Sequence, residues 1–342
     1  MKTENILLVL VAGVGDLLIA SAALKALRKR HPKSRITLMV EKRSLAYAGT
    51  CPYVDEVLAL EATPSSPPAR LGALRDYFIT ALKLSSRKYD VAVNMFEVAT
   101  TYGDAKMKLL FNCIGAETSI GRSDYKRGTY FDLKVPELPG DTKTQGEYYA
   151  ELAALLGADA LVEDKTYWLS DRARAAADSF LAGSSGPLIG INATSARVTN
   201  HWLDERFAAV ADALAEKLGG RAVLFGSPSD RSKCDAIASL MKNKPLIVAG
   251  ELELEGSLAV VPKLKIMVTI HSAMMHAANA CGVPFVGLLS VENSVKDGPY
   301  HPVPGRFALL ESVPADAPRP QKPCMENITV EAVLSAAEKL LK

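Results

Sequence analysis

Cysteine is scarce and scattered: Cys51, Cys113, Cys234, Cys281 and Cys324 never fall in a C-x-x-C spacing. Neither a disulfide framework nor a zinc site is indicated, and a reducing cytoplasm fits. Aromatic residues make up only 6% of the 342, so the core has to be built from Leu, Ala, Val and Ile, the usual filling of sheets sandwiched between helices. Charge of one sign is also lacking. The net charge of +2 gives no electrostatic case for a nucleic-acid partner. No uncharged apolar run reaches the roughly 18 residues of a membrane-spanning helix. The apolar stretch after Lys2, with Ala20-Ser21-Ala22 resembling a cleavage site, is interrupted by Asp16 and two glycines, so export is not expected. Gly13-x-Gly15 lacks the third glycine of a dinucleotide fingerprint, Leu18 standing in its place, and no Walker lysine follows. Readings as an NAD enzyme or a P-loop ATPase are therefore weak. No carboxylate pair or His–carboxylate cluster argues for a metal.

What is present is alternation. Apolar runs near 5–12, 35–40, 55–60 and 90–95 read as strands, with helices near 16–30 and 71–86. Residues 103–114 read as a helix, 115–145 as irregular with short strands, and Glu147 to Leu156 as a helix with a strongly apolar face. After the breaker Gly183-Ser184-Ser185-Gly186 a second series begins, with strands near 187–192, 221–225, 245–248, 265–270 and 284–288. Helices near 204–218, 230–242, 254–262 and 272–281 fill its gaps. Consecutive βα units of this kind predict two parallel-sheet domains, 1–170 and 171–342, with a ligand cleft between their strand ends. A final amphipathic helix over 329–341 could pack back on either domain. One local charge excess stands out: residues 25–43 hold Lys25, Arg28, Lys29, Arg30, Lys33, Arg35, Lys42 and Arg43 against Glu41 alone. It reads either as a solvated helix end suited to the dipole or as a surface for an anionic membrane or acidic acceptor.

The most informative segment is the first turn. Ile6 to Val11 is apolar without alternation, the pattern of a strand covered on both faces, and Ala12-Gly13-Val14-Gly15-Asp16 then leads straight into a helix. Gly13 and Gly15 allow a tight turn and close approach of a ligand to the backbone. Asp16 falls where open α/β sheets bind ligands, and an Asp there serves equally as a helix N-cap. Asp230, after the strand near 221–225, has the same two readings: an acceptor for ribose hydroxyls, or a cap.

Several segments, in order, resemble glycosyltransferase family nine, the ADP-heptose:lipopolysaccharide heptosyltransferases. They are the Gly-Asp turn, Cys51-Pro52-Tyr53-Val54-Asp55-Glu56-Val57, Gln145 to Leu156, and His201-Trp202-Leu203-Asp204-Glu205-Arg206-Phe207. Val223 to Asp230, Ser272 to His276, Gly298-Pro299-Tyr300, and Cys324-Met325 with Ile328-Thr329-Val330-Glu331 complete the set. The resemblance implies a GT-B fold, two Rossmann-like domains facing across a cleft, with acceptor on the first and donor on the second. It further implies an inverting glycosyltransferase that moves a sugar, heptose in the family, from a nucleotide diphosphate to a lipopolysaccharide core or related envelope saccharide. Such an enzyme works in the cytoplasm, with peripheral contact at the inner face of the membrane, and takes the nucleotide sugar as substrate rather than holding a cofactor.

Asp16 would then be the general base for the acceptor hydroxyl. Thr194, Ser195, Arg197, Asn200, Asp230, His271, Ser272, Ala273 and Met274 would surround the donor, helped by backbone N–H groups at the start of the 272–281 helix. His276, on an apolar helix face, reads as supporting. The sequence departs from the family at two places of consequence. Asn200 stands where the family carries Lys, Arg197 being the nearest replacement, and His271 with Ala273 stands where the family has Asp and Gly. These departures carry two alternatives: a different nucleotide sugar, or a catalytically degenerate family member that only binds one.

Overall fold

The computed structural model describes residues 3–60, 78–137, 142–160, 166–195, 201–290, 294–300, 302–312 and 325–342. Two compact units divide the chain, Met1–Trp168 and Leu169–Lys342. In the first, strands β1 (Asn5–Leu10), β2 (Arg35–Glu41), β3 (Glu56–Leu60), β4 (Val91–Asn94), β5 (Thr118–Ser123) and β6 (Leu133–Pro136) form one sheet in the order β3-β2-β1-β4-β5-β6. Every pairing is parallel, with Leu8 of β1 opposite Leu38 of β2 on one side and Val93 of β4 on the other. Ile6 to Leu10 are wholly buried, as expected of a strand with helices on both faces. Helices α1 (Val14–Ile19), α2 (Ser21–Arg30), α3 (Leu45–Ala48), α4 (Thr101–Ile114) and α5 (Gln145–Ala154) belong to this unit, and residues 78–85 are also helical.

The second unit holds β7 (Leu188–Asn192), β8 (Arg221–Phe225), β9 (Leu246–Ile247), β10 (Ile266–Ile270), β11 (Phe285–Leu289) and β12 (Phe307–Glu311), in the order β12-β11-β10-β7-β8-β9, again all parallel. Counted from its own first strand this is the same order as the first sheet, the doubly wound Rossmann arrangement 3-2-1-4-5-6. Its helices are α6 (Asp171–Leu181), α7 (Asp204–Leu218), α8 (Arg231–Leu240), α9 (Leu254–Val260), α10 (Ala273–Cys281) and α11 (Val330–Leu340). The breaker before β7 has a backbone reason: Gly186 sits at φ +80, where a Cβ would lie 2.6 Å from the carbonyl oxygen of Gly219. Among the described residues no helix is long and apolar enough to cross a membrane.

Several boundaries differ from the sequence expectation, each for a local reason. The helix expected over 16–30 starts at Val14 and breaks at Ala20, whose ψ is −7. Its N-cap is Gly13, whose carbonyl accepts from the amides of Asp16 and Leu17, so Asp16 lies inside the first turn and is not the cap. Helix α5 begins at Gln145, two residues earlier than expected, because Thr144 and Glu147 form a capping box there. Strand β12 was not expected: its apolar run, Phe307 to Leu310, is short and lies on a half-buried edge just after Val303-Pro304-Gly305.

The stretch around Trp202 is structural. Trp202 is buried, its Nε1 donates to the carbonyl of Ile328 at 2.9 Å, and its ring meets Phe207 edge-on at 5.0 Å. Arg206 Nη1 donates to the carbonyls of Glu326 and Ile328, both at 2.6 Å. These bonds anchor the segment leading into α11, whose Val333 and Ala337 are buried in the same core, and α11 packs on α7, β11 and β12. Replacing Trp202 with Phe removes a buried donor and leaves a void, so urea unfolding should show a loss of about 1–3 kcal/mol; unchanged stability would mean that Trp202 does not anchor the segment.

Candidate active site

Ligands of open α/β sheets bind beyond the carboxyl ends of the strands, where the strand order reverses. In the first sheet that point lies between β1 and β4, in the second between β7 and β10. Asp16 follows β1, Thr194 and Ser195 follow β7, and His271, Ser272, Ala273 and Met274 follow β10. Each of these residues therefore stands at the switch point of its own sheet. Asp230 stands one strand away, after β8, while Arg197 and Asn200 lie outside the described residues.

In the first unit the half-buried Asp16 is met by the hydroxyl of Tyr149, which donates to Oδ1 at 3.2 Å. Tyr149 lies on α5 and is 1% exposed. Burial, with the Asp16 carboxylate next in weight, holds its phenol well above the usual range, while Arg122 works in the opposite direction. The phenol is thus a donor at any ordinary pH. Helix α5 is held against the sheet by Arg122 at the end of β5. Its guanidinium lies 3.7 Å from the ring centre of Tyr148, donates through Nη1 to Gln145 Oε1 at 2.6 Å, and pairs through Nη2 with Glu137 at 2.8 Å. Gln145 in turn donates to Glu97, just after β4, at 3.4 Å.

The backbone of the first turn does not account for its glycines. Gly13 has φ −73 and ψ 173, an extended conformation open to any residue, and neither Gly13 nor Gly15 has positive φ. Within the chain a Cβ on Gly13 would meet only Arg43 Nη2, at an ordinary 3.9 Å. The turn does not need glycine for its shape.

In the second unit Asn192, at the end of β7 and 3% exposed, organises the switch point. Its Nδ2 donates to the Thr194 carbonyl at 3.1 Å, Thr269 Oγ1 at 3.3 Å and Ser272 Oγ at 2.9 Å. Ser272 Oγ also accepts from the Met274 amide at 3.2 Å, capping α10. Thr194 is buried and Ser195 half-buried on the loop that leaves β7. One carboxamide thus fixes both the 194–195 loop and the start of α10, where the helix dipole favours an anion. Asn192, Tyr149 and Arg122 were not expected as site residues: Asn192 carried the signal of a polar side chain ending an apolar run, and the other two carried none.

His271 is held on its neighbouring loop, its Nε2–H donating to the Asp297 carbonyl at 2.8 Å. His276, 6% exposed, stands edge-on to it at 5.7 Å between ring centres, and its Nδ1 has no hydrogen-bond partner among the described residues. Asp230 turns back on its own loop: Oδ2 accepts from Ser227 N at 2.8 Å and Ser227 Oγ at 2.6 Å, closing the short turn Pro228–Asp230 ahead of α8. In the basic stretch near α2, Arg28 is bound to Asp55 and to the carbonyls of Tyr53, His31 and Ser34, while Arg35 pairs with Glu56 and Arg43 with Glu41. Lys29 and Lys33 are exposed. Among the described residues no three His, Cys, Asp or Glu side chains are grouped to hold a metal ion.

Two tandem sheets of this strand order, each with polar side chains gathered at its switch point, are the arrangement of the GT-B fold. Residues 80–315 match the sequence profile of glycosyltransferase family 9 (heptosyltransferase). The chain belongs to that family and is a glycosyltransferase. It is 21% identical over 291 residues, 82% of each chain, to lipopolysaccharide heptosyltransferase 3 of Escherichia coli. Its fold matches a family 9 glycosyltransferase from Veillonella parvula with a TM-score of 0.83 at 24% identity, covering 99% of this chain and 97% of the other. It also matches the E. coli ADP-heptose lps heptosyltransferase II with a TM-score of 0.75 at 19% identity, covering 98% of each.

Burial, aided by nearby His271, pushes His276 from the usual 6.5 down to about 3. Below pH 6.5 the unfolded chain takes up a proton that the native site refuses, so stability falls as pH falls toward 3. Urea melts from pH 6.5 to 5, above the carboxylate range, should lose up to about 1.4 kcal/mol per pH unit from this group. His276→Gln should flatten the slope by that amount; parallel slopes for the two proteins would contradict a buried neutral imidazole.

Proposed function

We propose that this glycosyltransferase is an inverting heptosyltransferase: it takes a heptose from ADP-heptose or a close relative and places it on a lipopolysaccharide core or related envelope saccharide. The second domain holds the donor, and the first holds the acceptor and supplies the base. The observation that carries the reading is Asp16, a carboxylate at the first sheet's switch point, oriented by a buried hydroxyl. Similarity to a lipopolysaccharide heptosyltransferase and to an ADP-heptose lps heptosyltransferase supports the donor and acceptor classes. Work at the inner face of the cytoplasmic membrane follows from such an acceptor, with exposed Lys29 and Lys33 as the cations available for an anionic surface.

In the reaction the acceptor hydroxyl attacks the anomeric carbon while Asp16 takes its proton. The bond from that carbon to the diphosphate oxygen breaks on the opposite face, its electron pair leaves with the nucleotide diphosphate, and the configuration inverts. The leaving diphosphate is received by the start of α10, where Ser272, Ala273 and Met274 lie, and by Thr194 and Ser195. Arg197 adds a guanidinium for its oxygens and Asn200 a carboxamide. Asp230 retains Oδ1 for a ribose hydroxyl while Oδ2 holds its turn. A second reading, a different nucleotide sugar, draws on His271: its ring is tied to Asp297, and it offers no carboxylate to the sugar.

Asp16→Asn should lower kcat for transfer by about 10²- to 10⁴-fold while donor binding, read by thermal shift, is kept. Intact protein that turns over no nucleotide sugar with any envelope acceptor would end the reading. In a thermal-shift panel ADP should stabilise the protein by about 2.7 kcal/mol at a hundredfold excess over its Kd, with UDP, GDP and CDP lagging. Equal indifference to all four would remove the donor pocket.

A further inference from the structure

Tyr149 carries more than packing requires. Its side chain is 1% exposed on the inner face of α5, a place that Phe would fill with the same ring. A hydroxyl taken out of water costs free energy unless it is matched by a partner, and the partner it meets is Oδ1 of Asp16, 133 residues away in sequence, at 3.2 Å. The helix that delivers it is unusually well fixed. A capping box sets its first turn, Arg122 is stacked on Tyr148 and bonded to Gln145, and Gln145 reaches Glu97. The groups facing the phenol are therefore Asp16 after β1, Glu97 after β4 and Arg122 on β5, two carboxylates and one cation.

We propose that Tyr149 is a positioning residue for the base: its hydroxyl donates to Oδ1 of Asp16, fixing the carboxylate's rotation so that its remaining lone pairs meet the acceptor hydroxyl. This rests on Asp16 acting as the base. Because the donor supports the charged carboxylate, the bond sets the geometry of proton transfer and also the pH at which the base becomes available. Sequence could not assign this role, since Tyr149 reads as one more large residue on a buried helix face.

The test is Tyr149→Phe, assayed by transfer kinetics across pH with its thermal midpoint measured alongside. The expected result is a kcat about 10- to 100-fold lower, KM for the nucleotide sugar unchanged, and the acidic limb of the kcat/KM profile moved to higher pH. Tyr148→Phe, on the same helix, should leave that limb where the wild type has it. Should the Tyr149 variant melt early, 3-fluorotyrosine placed at 149 gives the opposite perturbation: a more acidic phenol donates more strongly, and the limb should move to lower pH. Wild-type kinetics in Tyr149→Phe, or a fall in rate with the limb unmoved, would overturn the positioning role. Wild-type protein without transfer activity would instead overturn the proposed reaction, so the two failures are distinguishable.

Discussion

A parallel strand covered by helices on both faces leaves little room for a polar side chain along its length, because a buried polar group must find a partner or lose its hydration. The polar chemistry of such a sheet is displaced to the loops beyond the strand ends. In this protein the constraint operates twice: β1 is apolar from Ile6 to Leu10, β7 runs apolar up to Asn192, and the reversal of strand order opens a gap beside each. Asp16 in one unit and the Asn192–Ser272 network in the other occupy those gaps.

Each gap is held by a buried polar residue that is not at the surface of the site. Asn192 ties the 194–195 loop to the cap of α10 through a single carboxamide. Tyr149 ties α5 to Asp16, and Arg122 ties α5 to the end of β5. Buried networks of this kind are costly when broken and rigid when complete. His276 packs into the same region as a neutral ring, a structural neighbour of His271 rather than a charge for a phosphate.

Much of the architecture was legible in the sequence. Unbroken apolar runs gave most of the strands and the breaker at Gly183–Gly186 marked the start of the second series, because both follow from local burial and backbone geometry. Less regular elements were harder to read. Strand β12 is half buried with an apolar run only from Phe307 to Leu310, and the helix after β1 starts two residues early because Gly13, with no side chain to signal a cap, fills that position. The segments around Trp202 and Ile328 resembled family motifs separately; their shared role, one bonding the other across 126 residues, shows only in the fold.

By itself the sequence determined the parallel-sheet class, the two series of βα units, the family, and the place of Asp16 at the end of the first strand, since all of these depend on residue type and order within short windows. Tertiary structure alone decided the rest: that Asp16 lies inside the helix rather than capping it, that Tyr149 donates to it, that Asp230 is bent back onto Ser227, and that Asn192 organises the second switch point. Those outcomes depend on which side chains meet after distant segments pack. A hydrogen bond between residues far apart in the chain leaves no periodicity along it.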